Sequence, residues 1–135
     1  EWVHLADDPM FAVLPKDFDT QGMTAFPLAA FEARDFIMPS QGFDKDIMRI
    51  FNRIGVKPHI LPTWVDDPTV ISMVSHGLGV SMMTELTLRG RGDGVLLEPA
   101  SSRELGLAVR SLDAASDGLR HFIDCTKRVV AEMQP

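Results

Sequence analysis

Cysteine is nearly absent: Cys125 stands alone among 135 residues. A single thiol cannot close an internal disulfide, which fits a reducing compartment and points to a cytoplasmic location. No basic neighbour or resolving cysteine is evident around it, so a half-buried small residue on a helix flank is expected rather than a redox group. Long apolar runs are also missing, and none approaches the ~20 residues that a membrane span needs. Basic charge is in short supply, with 13 Lys and Arg against 19 Asp and Glu, a net charge of -6. An acidic surface repels phosphate backbones, so this chain is a poor candidate for touching nucleic acid itself. The opening EWVHLADDPM has neither an initiator Met nor a basic stretch leading into an apolar core, so it is not a signal peptide and reads as a cut inside a longer chain.

Catalytic sets are equally hard to find. His4, His59, His76 and His121 are scattered, with no paired spacing and no nearby cysteine. Zinc wants three or four convergent ligands, so no metal is expected. Asp7-Asp8 and Asp66-Asp67 suggest paired carboxylates, but adjacent residues in a turn point apart, and the second pair precedes a proline in a capping context. No Ser-His-Asp or Cys-His arrangement can be assembled. The expectation is no catalytic residue, no cofactor and no enzyme.

What is present is an ordinary globular composition, 45% hydrophobic and 24% charged, in one domain's length of chain. Apolar runs alternate with helical patterns. MFAVLP (10–15), FIMPS (36–40), HILPTWV (59–65), VSMM (80–83), VLLE (95–98) and ELGLAVR (104–110) read as strands. FDKDIMRIFNRIG (43–55) has Phe43, Ile47, Ile50, Phe51 and Ile54 on one helical face. Its early acids, later arginines and terminal Gly55 match helix start and stop chemistry. DDPTVISMVSHG follows with an Asp cap and Pro68 at the first helical position. TELTLRG (84–90) is a short helix, and residues 114–133 are a long one with Leu119, Phe122, Ile123, Val129, Val130 and Met133 on one side. Strands separated by such helices imply right-handed crossovers and a mostly parallel sheet flanked by helices, an α/β fold. RGRGDG (89–94) is a glycine-rich loop whose charges are expected to keep it solvated.

The stretch SHGLGVSMMTE (75–85) resembles a phosphate loop in its glycines but not in its order. A phosphate loop follows a strand and opens a helix. Here Gly77 closes a helix and Gly79 enters a strand. The expectation is a left-handed Gly77, a closely packed Gly79, and a ligand only at the far end of the strand, near Thr84 and Glu85.

These residues carry a resemblance. DDPTVISMVSHGLGVSMM resembles the signature of the effector-binding domain of LysR-type transcriptional regulators, an acidic turn, a helix ending in a Val-x-x-Gly-Leu-Gly-Val corner, and an apolar strand. DPMFAVLPKDF, FPLAAFEARDFIM, FNRIGVKPHI and SRELGLAVR with the final helix resemble its other segments, in family order. Thr84 departs from the proline that the family often has after the Gly-Val strand. The resemblance implies a periplasmic-binding-protein type II-like architecture, in which two α/β subdomains close on a small molecule behind an N-terminal winged helix-turn-helix. Residues 1–9 would then be a linking strand from an absent first subdomain, 10–109 the second effector-binding subdomain, and 110–135 a return segment and closing helix. It implies a small-molecule effector, an anion or small metabolite, and a homo-oligomer that reaches DNA only through the absent domain, with no membrane contact. A solute-binding protein of a transporter shares the architecture and is the alternative.

Open parallel sheets bind ligands beyond their strand C-termini. The effector-binding candidates are therefore Ser40, Gln41 and Gly42 after FIMP, Asp66 and Thr69 after TWV, and Thr84 and Glu85 after SMM. Ser40, Asp66 and Thr84 would also suit helix capping, worth about 1 kcal/mol each. Trp64 has a face that would suit either a pocket wall or the core.

Overall fold

The computed structural model describes residues 1–39, 42–63 and 65–133. Ser40, Gln41 and Trp64 lie outside the described residues, so the expectations made for them stay where the sequence left them. The elements in chain order are β1 (Trp2–Val13), β2 (Ala25–Pro27), a 3-10 turn (Leu28–Phe31), β3 (Asp35–Ile37), α1 (Asp44–Ile54), β4 (His59–Leu61), α2 (Asp67–Ser75), β5 (Ser81–Thr84), α3 (Glu85–Leu88), β6 (Val95–Glu98), β7 (Ser102–Ala108) and α4 (Asp117–Met133). Two compact units emerge, Pro9–Arg103, and Glu1–Asp8 with Glu104–Pro135.

In the unit Pro9–Arg103, β3 and β4 pair in parallel, with Phe36 opposite Ile60. Val80 joins β3 through a parallel bridge to Phe36, with Ile37 N–H donating to the Val80 carbonyl (2.8 Å) and Val80 N–H to the Asp35 carbonyl (2.9 Å). β2 and β6 are also parallel. The exception to the expected parallel pattern is β1, which runs antiparallel to both β5 and β6. The sequence shows an apolar run there but not its direction, because alternation along a strand carries no sign of its neighbours' orientation.

Side-chain alternation then sorts the core into two clusters. Ala12, Phe36 and Met82 point to the side where α1 supplies Ile47, Ile50 and Phe51. Their neighbours Val13, Ile37 and Met83 point to the side where α2 supplies Val70 and Val74. Thus α1 and α2 cover opposite faces. The α1 side is aromatic: Phe31 is fully buried and meets Phe26, Phe36 and Phe51 edge-on, with ring centroids 4.9, 5.6 and 5.5 Å away. Offset edge-to-face geometry sets the positive ring edge against a negative ring face.

The glycine corner has the expected form. Gly77 has φ of +77°, and a Cβ on Gly79 would stand 2.7 Å from the Asp35 carbonyl oxygen. At that distance only glycine lets Val80 reach β3. Two elements had no sequence signal: β2 and the 3-10 turn are too short for a hydrophobic period to show. Asp7 and Asp8 lie within β1 rather than in a turn; alternation leaves Asp7 exposed and Asp8 buried.

In the unit Glu1–Asp8 with Glu104–Pro135, β1 pairs with β7. Val109 N–H donates to the Glu1 carbonyl (2.9 Å) and the Glu1 ammonium to the Val109 carbonyl (2.6 Å). Glycine is required at 106, where a Cβ would fall 2.5 Å from the Trp2 ring. On α4, Ile123 is buried while Phe122, Val129 and Met133 are exposed, so the apolar side read from sequence is largely uncovered in this chain.

Phe31→Ala removes the ring shared by three aromatic contacts. It is expected to lower unfolding stability by about 3–5 kcal/mol, read as a reduced midpoint in urea, while an exposed control such as Ala29→Ser changes it little.

Candidate functional site

The strand order around β3 places the site. Successive strands β3 and β4 are neighbours, but the next strand, β5, lies on the other side of β3. The connecting helices α1 and α2 therefore leave on opposite faces, as the two core clusters show. Such a reversal opens a crevice beyond the carboxyl ends of the strands, where backbone groups are not closed over by either helix. The turns after β3, β4 and β5 end at this one edge of the sheet.

The edge is tied by backbone and side-chain bonds. Met38 N–H reaches the Leu61 carbonyl at 3.3 Å, and the Thr63 hydroxyl donates to the Met38 carbonyl at 3.0 Å. Thr63 was not singled out from sequence; its one signal was its place just beyond an apolar run, which many structural residues share. Gly42 is exposed, with φ of +89°, a left-handed conformation that suits glycine. The cap of α1 is Phe43, which makes no side-chain capping bond.

Asp66 caps α2 as expected. Its carboxylate accepts from Thr69 N–H at 2.9 Å and from the Thr69 hydroxyl, and Pro68 sits in the first turn. These two bonds, the hydroxyl first, hold the Asp66 carboxyl below its ordinary value. The adjacent Asp67 is pushed the other way: burial raises it, the Arg91 guanidinium partly offsets that, and Asp66 adds repulsion. Asp67 Oδ1 is buried without a hydrogen-bond partner. Both Asp66 and Thr69 are exposed, so their polar atoms are open to solvent.

Thr84 is different. It is fully buried and caps α3, accepting from Thr87 N–H at 3.4 Å, with the two hydroxyls 3.0 Å apart. Glu85, half-buried, is the first residue of α3. The structure thus joins Asp66 to Thr69 directly, and brings Gly42 and the Thr84-Glu85 pair to the same sheet edge through the parallel strand order. Negative charge dominates what is described there: Asp66, Asp67 and Glu85 all stand in the first turn or cap of a helix, where the macrodipole favours them. No group of three or more His, Cys, Asp or Glu side chains among the described residues is placed to hold a metal ion.

One sequence expectation is corrected away from this edge. Cys125 is half-buried as expected, but helical spacing gives it basic neighbours, His121 Nε2 at 3.5 Å and Arg128 Nη2 at 3.6 Å. These stand four residues before and three after it, on the same face.

Comparison with known proteins agrees with this geometry. Residues 1–131 match the family described as LysR substrate binding domain. The chain belongs to the LysR substrate-binding domain family. A curated relative, the "Uncharacterized HTH-type transcriptional regulator YvbU" of Bacillus subtilis, is 29% identical over 134 residues, covering 96% of this chain and 46% of its own length. The chain thus spans about half the length of that regulator. Among solved structures, the CcmR regulatory domain of Synechocystis, in complex with 2-PG, superposes with a TM-score of 0.76 at 17% identity, covering 98% of this chain and 68% of its own. The effector-binding domain of QuiR, in complex with shikimate, gives 0.74 at 20% identity, covering 98% and 66%. The fold is accordingly that of a LysR effector-binding domain, of periplasmic-binding-protein type, and the transporter alternative is not favoured. Among the described residues, no helix is long and apolar enough to cross a membrane.

Two expectations follow. A carboxyl lowered in the folded state stabilises the fold, so the Asp66 contribution is full above its unfolded value of 3.8 and is lost as pH falls through the lower folded value. Melting parent and Asp66→Ala across that range should show a gap above pH 3.8 that closes below it. Thr84→Val keeps the volume but removes the cap, and is expected to cost about 1 kcal/mol, measured by urea unfolding.

Proposed function

We propose that the chain is the effector-sensing part of a LysR-type transcriptional regulator, working in the cytoplasm without catalysis. Residues 10–109 serve as its second effector-binding subdomain, residues 1–9 as a linking strand, and residues 110–135 as the return segment and closing helix. The observation that carries the reading is the strand-order reversal at β3, which opens a crevice edge where Asp66 and Thr69 stand exposed on the first turn of α2. The proposed effector-site residues are Ser40, Gln41, Gly42, Asp66, Thr69, Thr84 and Glu85. Within that set Asp66 and Thr69 make direct polar contact, while the buried Thr84 holds the first turn of α3 in place for Glu85.

Two of the solved neighbours are in complex with small molecules, 2-PG and shikimate, and an acidic metabolite fits this chain in a particular way. The acids at the described edge repel an anion's charged end, so they meet its hydroxyl groups, and its charge is neutralised by residues beyond this edge. Effector binding selects one closure of the crevice and so alters how a homo-oligomer presents its DNA-binding domains. A tenfold shift in that balance takes about 1.4 kcal/mol of differential binding, the scale of one or two hydrogen bonds.

The test is a thermal-shift screen of small hydroxy acids and polyols against the parent and Thr69→Val, which loses the hydroxyl but keeps the N–H to Asp66. A true effector raises the parent's melting temperature in a concentration-dependent way. Its shift should shrink in Thr69→Val by about tenfold in affinity. An unchanged shift in the variant would remove α2 from the site.

A further inference from the structure

A second cavity lies at the other end of the same sheet, and it goes beyond the effector crevice. Strand β1 ends where β5 begins, with Val13 opposite Ser81, while Thr84 at the crevice edge pairs with Met10. Beyond the Val13 end the chain lines a half-open cavity of about 670 Å³, within the volume range of small-ligand sites. It opens at the seam between the two core clusters. Val13, Ile71 and Val74 belong to the α2 side, and Leu14, Phe18 and Val95 pack on the α1 side. Its floor is therefore apolar on both sides.

The rim is polar and carries more positive than negative charge. Lys16, Arg91, Asp93 and Thr20 line it, two cations against one acid in a chain whose net charge is -6. Arg91 is anchored, one guanidinium N–H donating to the Thr87 carbonyl at 3.1 Å, and its charge also acts on Asp67; five N–H donors leave room for a further partner. The glycines of the RGRGDG loop hold this wall close. A Cβ at Gly94 would sit 2.7 Å from Phe11 Cβ and 2.8 Å from Leu88 Cδ1, and one at Gly92 would sit 3.3 Å from Ile71 Cγ2. A loop that in sequence looks like a solvated spacer is pressed against β1 and α2 and forms one wall of the cavity.

We propose that this cavity is a second small-molecule site, taking a monocarboxylate with an apolar body: the body enters the seam between the two core clusters, and the carboxylate meets Lys16 and Arg91 at the rim. Lys16 is exposed and Arg91 lines the same cavity, so the charge is met at the surface and the apolar part is desolvated, the division that ligand pockets generally show. Asp93 opposes the carboxylate and sets the affinity below what two cations alone would give.

The experiment is an amide-resolved NMR titration of the 135-residue chain with 3-phenylpropanoate, and in parallel with 3-phenylpropanamide, which has the same body and no charge. Saturable shifts are expected at 13–16, 71–75 and 92–95, with a dissociation constant in the low-millimolar range for a ligand of this size. The amide should bind about tenfold more weakly. Lys16→Ala should reduce that preference, Lys16→Ala combined with Arg91→Ala should abolish it, and Asp93→Asn should widen it. The proposal is overturned by non-saturable shifts, by equal binding of acid and amide, by an acid preference that is unchanged in Lys16→Ala, or by shifts confined to 62–69 and 84–87. That last footprint would place the acid in the crevice and leave the regulator reading intact.

Discussion

The packing of Phe31 against three other rings is the contact on which the α1 side of the main unit depends. Each partner comes from a different element: Phe26 from β2, Phe36 from β3, Phe51 from α1. The 3-10 turn that carries Phe31 is four residues long and has too few internal bonds to persist alone. It is the aromatic contacts that hold it against the sheet. Once α1 is seated on that face, right-handed connection leaves α2 the other face, and the reversal of strand order at β3 follows from the chain's path.

That reversal explains why the candidate site is built from helix caps. Asp66 and Thr84 each begin a helix from an extended backbone conformation; Thr84 is the last residue of β5, and Asp66 lies in the turn after β4, beyond the strands, where side chains remain unpaired by the sheet. They nevertheless differ in what they offer. Asp66 keeps its carboxylate exposed while satisfying Thr69, whereas the Thr84 hydroxyl is consumed inside the protein by Thr87. The same capping chemistry thus yields one polar surface group and one structural one, and burial decides between them.

Charge is unevenly spread along the sheet. Asp66, Asp67 and Glu85 gather at the crevice end and Lys16 lines the cavity at the other, while Arg91 lines that cavity and also acts on Asp67. Helix α2 has its acids at the amino end and lines that cavity with its carboxyl half, so its macrodipole runs along the same gradient. The desolvated Asp67, with an oxygen left unpartnered, is a cost that the fold carries beside the crevice.

Sequence alone determined the elements whose period is long enough to read. The apolar face of α1, the Asp-Pro start of α2, the VLLE strand at 95–98 and the Gly77 corner all stand where spacing and cap chemistry put them, because these signals act within one or two turns of chain. The candidate edge was legible for the same reason: Asp66 and Thr84 are caps, and caps mark strand ends. Tertiary structure decided the rest. The antiparallel run of β1, the burial of Thr84, the bond from Thr63 to Met38, the basic neighbours of Cys125 and the cavity behind RGRGDG all depend on which segments meet. A residue's burial and its distant partners are set by the closing of the sheet around it, and local spacing carries no record of that.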